Sequence, residues 1–117
     1  MILAALCLAS NIYFEARGEP IDGQILVAEV TMNRGSDICA TVFAKDQFSW
    51  TNDKDLFIDN PDAFYQAYAL ASEMIDSGCI LCSEATFYHS NSVEPYWAEH
   101  MTLLGSYGNH IFYKENT

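Results

Sequence analysis

Asn11-Ile12-Tyr13-Phe14-Glu15-Ala16-Arg17-Gly18-Glu19-Pro20 closes an apolar helical run with a glutamate and then breaks the helix at Gly18 and Pro20. Read backwards from this stretch, residues 2 to 17 are apolar almost all round, which suits a helix buried at the centre of a domain. The run lacks the cationic start of a signal peptide and continues unbroken into Glu15. Asn11 and Glu15 also interrupt it before the roughly 20 apolar residues that a bilayer span requires, so no membrane anchor is expected. On a helix, Glu15 shares a face with Leu8 and Ile12, which sets its carboxyl against apolar side chains. Burial and the negative end of the helix dipole both disfavour the ionised form at this C-terminal turn. A carboxylic acid that keeps its proton is what acetal cleavage needs, because the leaving oxygen must be protonated as the bond breaks. Arg17 and Glu19 would act on that proton in opposite directions. Glu15 is thus a candidate general acid, and the alternative is a solvated glutamate at a frayed helix end.

Working outward, Glu19-Pro20 offers a second helix start with Pro at its first position, and Gln24, Leu26, Val27, Val30 and Met32 carry it to Asn33-Arg34, where Gly35 ends it. Residues 36 to 60 read as irregular, with a short helix around 40 to 44. A third helix begins at Asn60-Pro61-Asp62, repeats Phe64, Tyr65, Tyr68, Ala71, Met74 and Ile75 along one face, and stops at Ser77-Gly78. The periodicity then changes. Residues 85 to 89 and 107 to 113 are short, aromatic and bounded by Ser, Asn and Gly, as strands of a small sheet are. The expected class is α+β, mainly helical with a small β-sheet, in a single domain over residues 1–117, since this length supports one core and not two.

Five Lys and Arg stand against sixteen Asp and Glu, a net charge of -11, which argues against a nucleic acid partner because phosphate contacts need clustered cations. Cys7, Cys39, Cys79 and Cys82 fit two disulfides or none, and their pairing stays open. The C-x-x-C spacing at 79–82 follows the helix stop Gly78 instead of opening a helix after a strand, so it reads as structural and not redox-active. His89, His100, His110 and the cysteines are the stock for a zinc site, but the histidines lack a tight ligand spacing, and no metal or cofactor is expected.

Two further regions mix aromatic and polar side chains. If extended, Gln47-Phe48-Ser49-Trp50-Thr51 directs Gln47, Ser49 and Thr51 to one side and the two aromatic rings to the other. Sugar sites use that mixture of ring faces and short polar groups, although core packing would account for Phe48 and Trp50 equally well. Phe87-Tyr88-His89-Ser90-Asn91, with Pro95-Tyr96-Trp97, repeats the mixture beside a turn. In the last stretch, His110 and Phe112 share one strand face and Ile111 and Tyr113 the other, which leaves His110 as either a cleft residue or a satisfied core histidine.

In this order the pieces resemble the cell wall hydrolase family typified by the spore cortex-lytic enzyme SleB. The residues that carry the resemblance are Glu15-Ala16-Arg17-Gly18-Glu19, Gly23-Gln24, Val27-Ala28, Val30, Asn33-Arg34, Gln47-Phe48-Ser49-Trp50, Tyr88-His89, Pro95, Trp97 and Gly108-Asn109-His110-x-Phe112-Tyr113. The resemblance implies a lysozyme-like domain, related to lytic transglycosylases and goose lysozyme, acting on peptidoglycan glycan strands at the bond between N-acetylmuramic acid and N-acetylglucosamine. It implies Glu15 as the catalytic acid, with Glu19, Gln47, Ser49, Trp50, Thr51, Tyr88, His89, Trp97 and His110 as the expected substrate-binding set. In a lytic transglycosylase one carboxylate serves as acid and then as base, and a 1,6-anhydro product forms without water. Hydrolysis normally calls for a second carboxylate, for which Glu19 is the spare.

The chain is closer to stand-alone versions among bacteriophage lysis proteins than to spore enzymes with a wall-binding domain and an export signal. It is expected to be made in the host cytoplasm without a signal peptide and to act on the cell wall or periplasm, with a monomer as the working expectation. Anionic wall polymers should repel it at low salt and less so at high salt. The alternatives are a hydrolytic muramidase, a zinc N-acetylmuramoyl-L-alanine amidase and a non-catalytic glycan-binding module.

Overall fold

The apolar run forms α1, Ile2–Ala16, and Gly18 at φ 85° turns the chain out of it through the left-handed region that glycine enters without steric cost. The computed structural model describes residues 2–44, 47–53 and 56–116. As expected, α1 is central. Its Leu8, Ala9 and Ile12 are fully buried against Ile25 and Ala28 of α2 (Ile21–Arg34) and against Ala67, Leu70, Ala71 and Met74 of a long helix at Pro61–Ser77. Burial of such aliphatic side chains contributes roughly 1.5–3 kcal/mol each, so the α1 seam dominates the helical core.

Short side chains set how closely the long helix approaches α1. Tyr65, read from the sequence as part of its inner face, is 74% exposed, while Ala67 and Leu70 take the inner positions. The start of this helix follows its signals: Pro61 opens it and the Asn60 side chain accepts a hydrogen bond from the Ala63 amide at 3.1 Å. Pro20 sits one residue further out than expected, as the residue before α2. Gly35 lies in extended backbone at φ -173°; its glycine is required by Thr41, whose Oγ1 would stand 2.5 Å from an added Cβ.

Between α2 and the long helix, Ile38–Val42 forms the short α3, capped by the Asp37 side chain on the Ala40 amide at 3.1 Å, and the long helix is α4. Cys39 on α3 is joined to Cys7 on α1. The stretch 47–51 is not extended. Ser49–Asn52 make a 3-10 turn in which the Thr51 amide and hydroxyl both return to the Phe48 carbonyl, at 3.2 and 2.8 Å. The polar and aromatic alternation of that stretch serves a tight turn, with Phe48 buried and Trp50 half-buried.

The sheet has three antiparallel strands, β1 (Phe87–Ser90), β2 (Met101–Tyr107) and β3 (His110–Glu115), in the order β1-β3-β2. The single strand expected over 107–113 is in fact a hairpin, because Gly108 at φ 57° and Asn109 form a two-residue turn inside it. A bulge at Leu103/Gly105 bends β2, and a 3-10 turn at Tyr96–His100 precedes that strand.

One face of α2 ties this sheet to the helices. Glu29, 1% exposed, accepts hydrogen bonds from four consecutive backbone amides: Ile80, Leu81 and Cys82 at 2.8, 2.9 and 3.1 Å on one oxygen, and Ser83 at 2.8 Å on the other. Next along the helix, Asn33 Nδ2 donates to the carbonyls of Ser83 and Ala85, both at 2.8 Å, and Arg34 Nε donates to that of Thr86 at 2.7 Å. The Cys79–Cys82 disulfide closes the same loop, so the C-x-x-C pair has a structural place.

Two outcomes follow for stability. Glu29→Ala removes the acceptor of four partly buried amides at once and should destabilise the fold by about 3 kcal/mol in urea denaturation; a loss below about 1 kcal/mol would contradict this role. Replacing Cys7 and Cys39 together by Ser opens a loop with a sequence separation of 32 and should cost about 3–4 kcal/mol, measured by the shift in the same denaturation midpoint.

Candidate active site

Glu15 occupies the last turn of α1, half-buried, with its carboxyl directed at the sheet, where the Tyr88 hydroxyl of β1 donates a hydrogen bond to Oε1. Burial, reinforced by the Glu15 carboxylate, pushes the Tyr88 phenol well above its ordinary value against the opposing pull of Arg34. Tyr88 consequently remains a proton-bearing donor at neutral pH.

The cation that acts on this pair comes from α2. Arg34 donates Nε to Thr86 O at 2.7 Å and Nη1 to Gln47 Oε1 at 3.1 Å, and its guanidinium lies 5.1 Å from the Phe87 ring centre and 5.3 Å from that of Phe48. Burial lowers its pKa, while the charges of Tyr88 and Glu15 raise it; an arginine so placed still carries its charge. Arg17, only two residues from Glu15 in sequence, turns elsewhere. Its guanidinium bonds Asp59 and the Tyr13 hydroxyl and lies 4.5 Å from the Tyr13 ring centre. The hydrogen bond with Asp59 chiefly raises the Arg17 pKa and lowers that of Asp59. The apolar setting read from Leu8 and Ile12 is therefore joined by a phenol donor.

The remaining expected residues divide by place. Trp50 is tied to α1 one turn before Glu15: its Nε1 donates to Asn11 Oδ1 at 3.2 Å, Asn11 Nδ2 donates to Thr31 Oγ1 at 2.8 Å, and its ring centre is 5.0 Å from that of Phe14. Gln47 is exposed and holds Arg34, Ser49 is exposed at the start of the 3-10 turn, and Thr51 is engaged with Phe48. His110 packs edge-on against Tyr88, ring centres 5.1 Å apart, on the inner face of the sheet. His89 and Trp97 lie on the outer face, where His89 Nε2 is 2.8 Å from the Tyr113 hydroxyl and the Trp97 ring meets both. The sheet thus separates His89 and Trp97 from Tyr88.

Glu19 is seated against the β2–β3 turn. It accepts from the Asn109 amide at 2.7 Å and from Asn109 Nδ2 at 3.0 Å. His110 Nδ1 approaches it to 3.1 Å without the alignment of a hydrogen bond. Gly108 makes room, since a Cβ there would meet Glu19 Oε1 at 2.8 Å.

Two recesses open beside these groups. One, about 330 Å³, is lined by Tyr13, Arg17, Glu19, Gln24 and Gln66; the other, about 510 Å³, by Arg34, Ser36, Asp37, Thr41 and Gln47. A larger recess of about 620 Å³ between Leu26, Leu81, Leu104 and Tyr107 contains none of the expected site residues. Among the described residues no group of three or more His, Cys, Asp or Glu side chains is arranged to hold a metal, and no helix is long and apolar enough to cross a membrane. Sequence reasoning left Arg34 and Glu29 out of the site and its support. Arg34 lay within the resemblance, whereas Glu29 is a glutamate in an apolar helix with no local signal for the loop it holds.

The comparisons with known proteins agree with this architecture. A family model described as cell wall hydrolase matches residues 18–113, beginning just past Glu15. The chain is similar to the catalytic domain of the germination-specific lytic transglycosylase SleB from Bacillus anthracis, at 23% identity and a TM-score of 0.76, over 95% of this chain and 93% of that one. It is also similar to the catalytic domain of the Bacillus cereus SleB protein, at 23% identity and a TM-score of 0.73, over 96% of this chain and 91% of that one. No curated protein matches. The shared fold is lysozyme-like, a mainly helical body with a small antiparallel sheet. With the family model running through α2, α4 and the whole sheet to Tyr113, this chain belongs to the cell wall hydrolase family.

Proposed function

We propose that the chain degrades peptidoglycan as a lytic transglycosylase, cleaving the bond between N-acetylmuramic acid and N-acetylglucosamine with Glu15 as general acid and then general base. The observation that carries this reading is the Glu15 carboxyl itself, half-buried at a helix end and held on one oxygen by Tyr88. That hydrogen bond fixes the carboxyl plane and leaves the second oxygen for proton transfer. The proton of Glu15 passes to the glycosidic oxygen as the C1–O bond breaks and its electron pair goes to that oxygen. The carboxylate then takes the proton of the muramoyl 6-hydroxyl as that oxygen bonds to C1, giving a 1,6-anhydro end and restoring the acid. Trp50, anchored through Asn11, offers a ring face for a pyranose beside the acid.

Two observations support transglycosylation over hydrolysis and over metal chemistry. Glu19, the spare carboxylate for activating water, already accepts two hydrogen bonds from Asn109. The zinc alternative would draw on His89 and His110, which sit on opposite faces of the sheet, and on cysteines that are all paired. The B. anthracis neighbour is named a lytic transglycosylase, which agrees with the proposed chemistry. The two disulfides support action in an oxidising compartment outside the cytoplasm, and a bacteriophage lysis protein released from the host cytoplasm to the wall would meet that condition.

Glu15→Gln should fold and bind glycan but lose about 1,000-fold in kcat, within the roughly 100–10,000-fold that general acid–base catalysis supplies. Mass spectrometry of digested peptidoglycan should show anhydro-muramoyl ends from the wild type. Reducing muramoyl ends would indicate a muramidase, and free stem peptides would overturn the glycosidase assignment. Tyr88→Phe should lower kcat by about 10-fold through loss of a hydrogen bond to a charged group. Because the Tyr88 pKa is raised, the phenol stays protonated up to and beyond its ordinary range, so the wild-type profile should contain no titration of Tyr88 below about pH 10; an alkaline limb below that pH that disappears in Tyr88→Phe would count against the assignment of Tyr88 as a fixed donor.

A further inference from the structure

We propose that Arg34 is the positioning residue of the acid: it fixes β1 so that the Tyr88 hydroxyl meets Glu15. The inference rests on Glu15 as the acid for its catalytic consequence, and on contacts alone for its structural part. The Nε bond to Thr86 O, at 2.7 Å, grips the chain two residues before Tyr88. The Nη1 bond to Gln47, at 3.1 Å, attaches the same guanidinium to the loop that carries Trp50. Phe48 and Phe87 lie against it at 5.3 and 5.1 Å, so it is held from three directions. An ammonium in its place can still donate to the Thr86 carbonyl and keep the charge, while it gives up the second donor and the planar stacking. The alternative cation, Arg17, is bonded to Asp59.

The test compares Arg34→Gln with Arg34→Lys, which keeps the charge without the fork. Arg34→Gln should lower kcat on the order of 100-fold, as a displaced catalytic group does, with KM changed less than about 3-fold because substrate contacts remain. Arg34→Lys should recover kcat to within about 10-fold of wild type. Proton NMR supplies a readout that needs no substrate: the low-field hydroxyl proton of Tyr88, identified by its absence in Tyr88→Phe, should persist in Arg34→Lys and vanish in Arg34→Gln. If Arg34→Gln loses thermal stability but keeps both the resonance and the wild-type kcat, Arg34 only supports the fold and the proposal is overturned. If Arg34→Gln does not fold, Arg34→Lys decides by itself, and a lost resonance or a kcat reduced by more than about 100-fold sinks the idea. An inactive wild-type protein would refute the glycosidase reading, while the resonance would still judge Arg34.

Discussion

The hydrogen bond from Tyr88 to Glu15 joins the last turn of the buried helix α1 to the first strand of the sheet, and the surrounding structure is arranged so that it can form. Neither partner is placed by its own neighbours in sequence. Glu15 is fixed because α1 is packed on nearly every side, and Tyr88 is fixed because α2 grips the seven residues before β1. Glu29, Asn33 and Arg34 lie within about one and a half turns of that helix and bind, in order, the amides of 80 to 83, the carbonyls of 83 and 85, and the carbonyl of 86. A helix is stiff over such distances, so these contacts convert the position of α2 against α1 into the position of Tyr88 against Glu15.

This arrangement places the carboxyl proposed to transfer a proton within a chain of net charge -11. Summed over the surface, the charge repels anions at long range, but exposed charges beyond about 10 Å are largely screened at ordinary salt. What acts on Glu15 is near and shielded: a phenol, a guanidinium between two aromatic rings, and aliphatic side chains. The two arginines show how far local contacts outweigh sequence distance, because Arg17 is neutralised by Asp59 while Arg34, far along the chain, grips the residue two before Tyr88.

Much of this was legible from residues alone. Helix limits at Gly18, Pro61 and Gly78 follow from backbone rules that hold in any context, and Glu15 was marked by a carboxyl in an apolar helix meeting a helix stop. The hairpin at Gly108-Asn109 was missed because aromatic residues flank it on both sides and masked the turn. The stretch 47–51 has the alternation of a strand, yet the Trp50 bond to Asn11 and the turn at Phe48 decide its shape, and both depend on α1. Tyr88 and His89 are adjacent in sequence and looked alike as cleft residues; strand pleating sends them to opposite faces. Glu29 was illegible for the opposite reason, since its partners are backbone amides, which leave no mark in side-chain identity.

The account stands on where a glycan strand lies when bound. A crystal structure of the Glu15→Gln protein with a bound muramoyl-containing tetrasaccharide measures this directly. The account predicts a glycosidic oxygen within hydrogen-bonding distance of the residue 15 side chain, with Tyr88 on its other side and Trp50 against a sugar ring. A saccharide seated on the outer face of the sheet against His89 and Trp97, with residue 15 untouched, would contradict it.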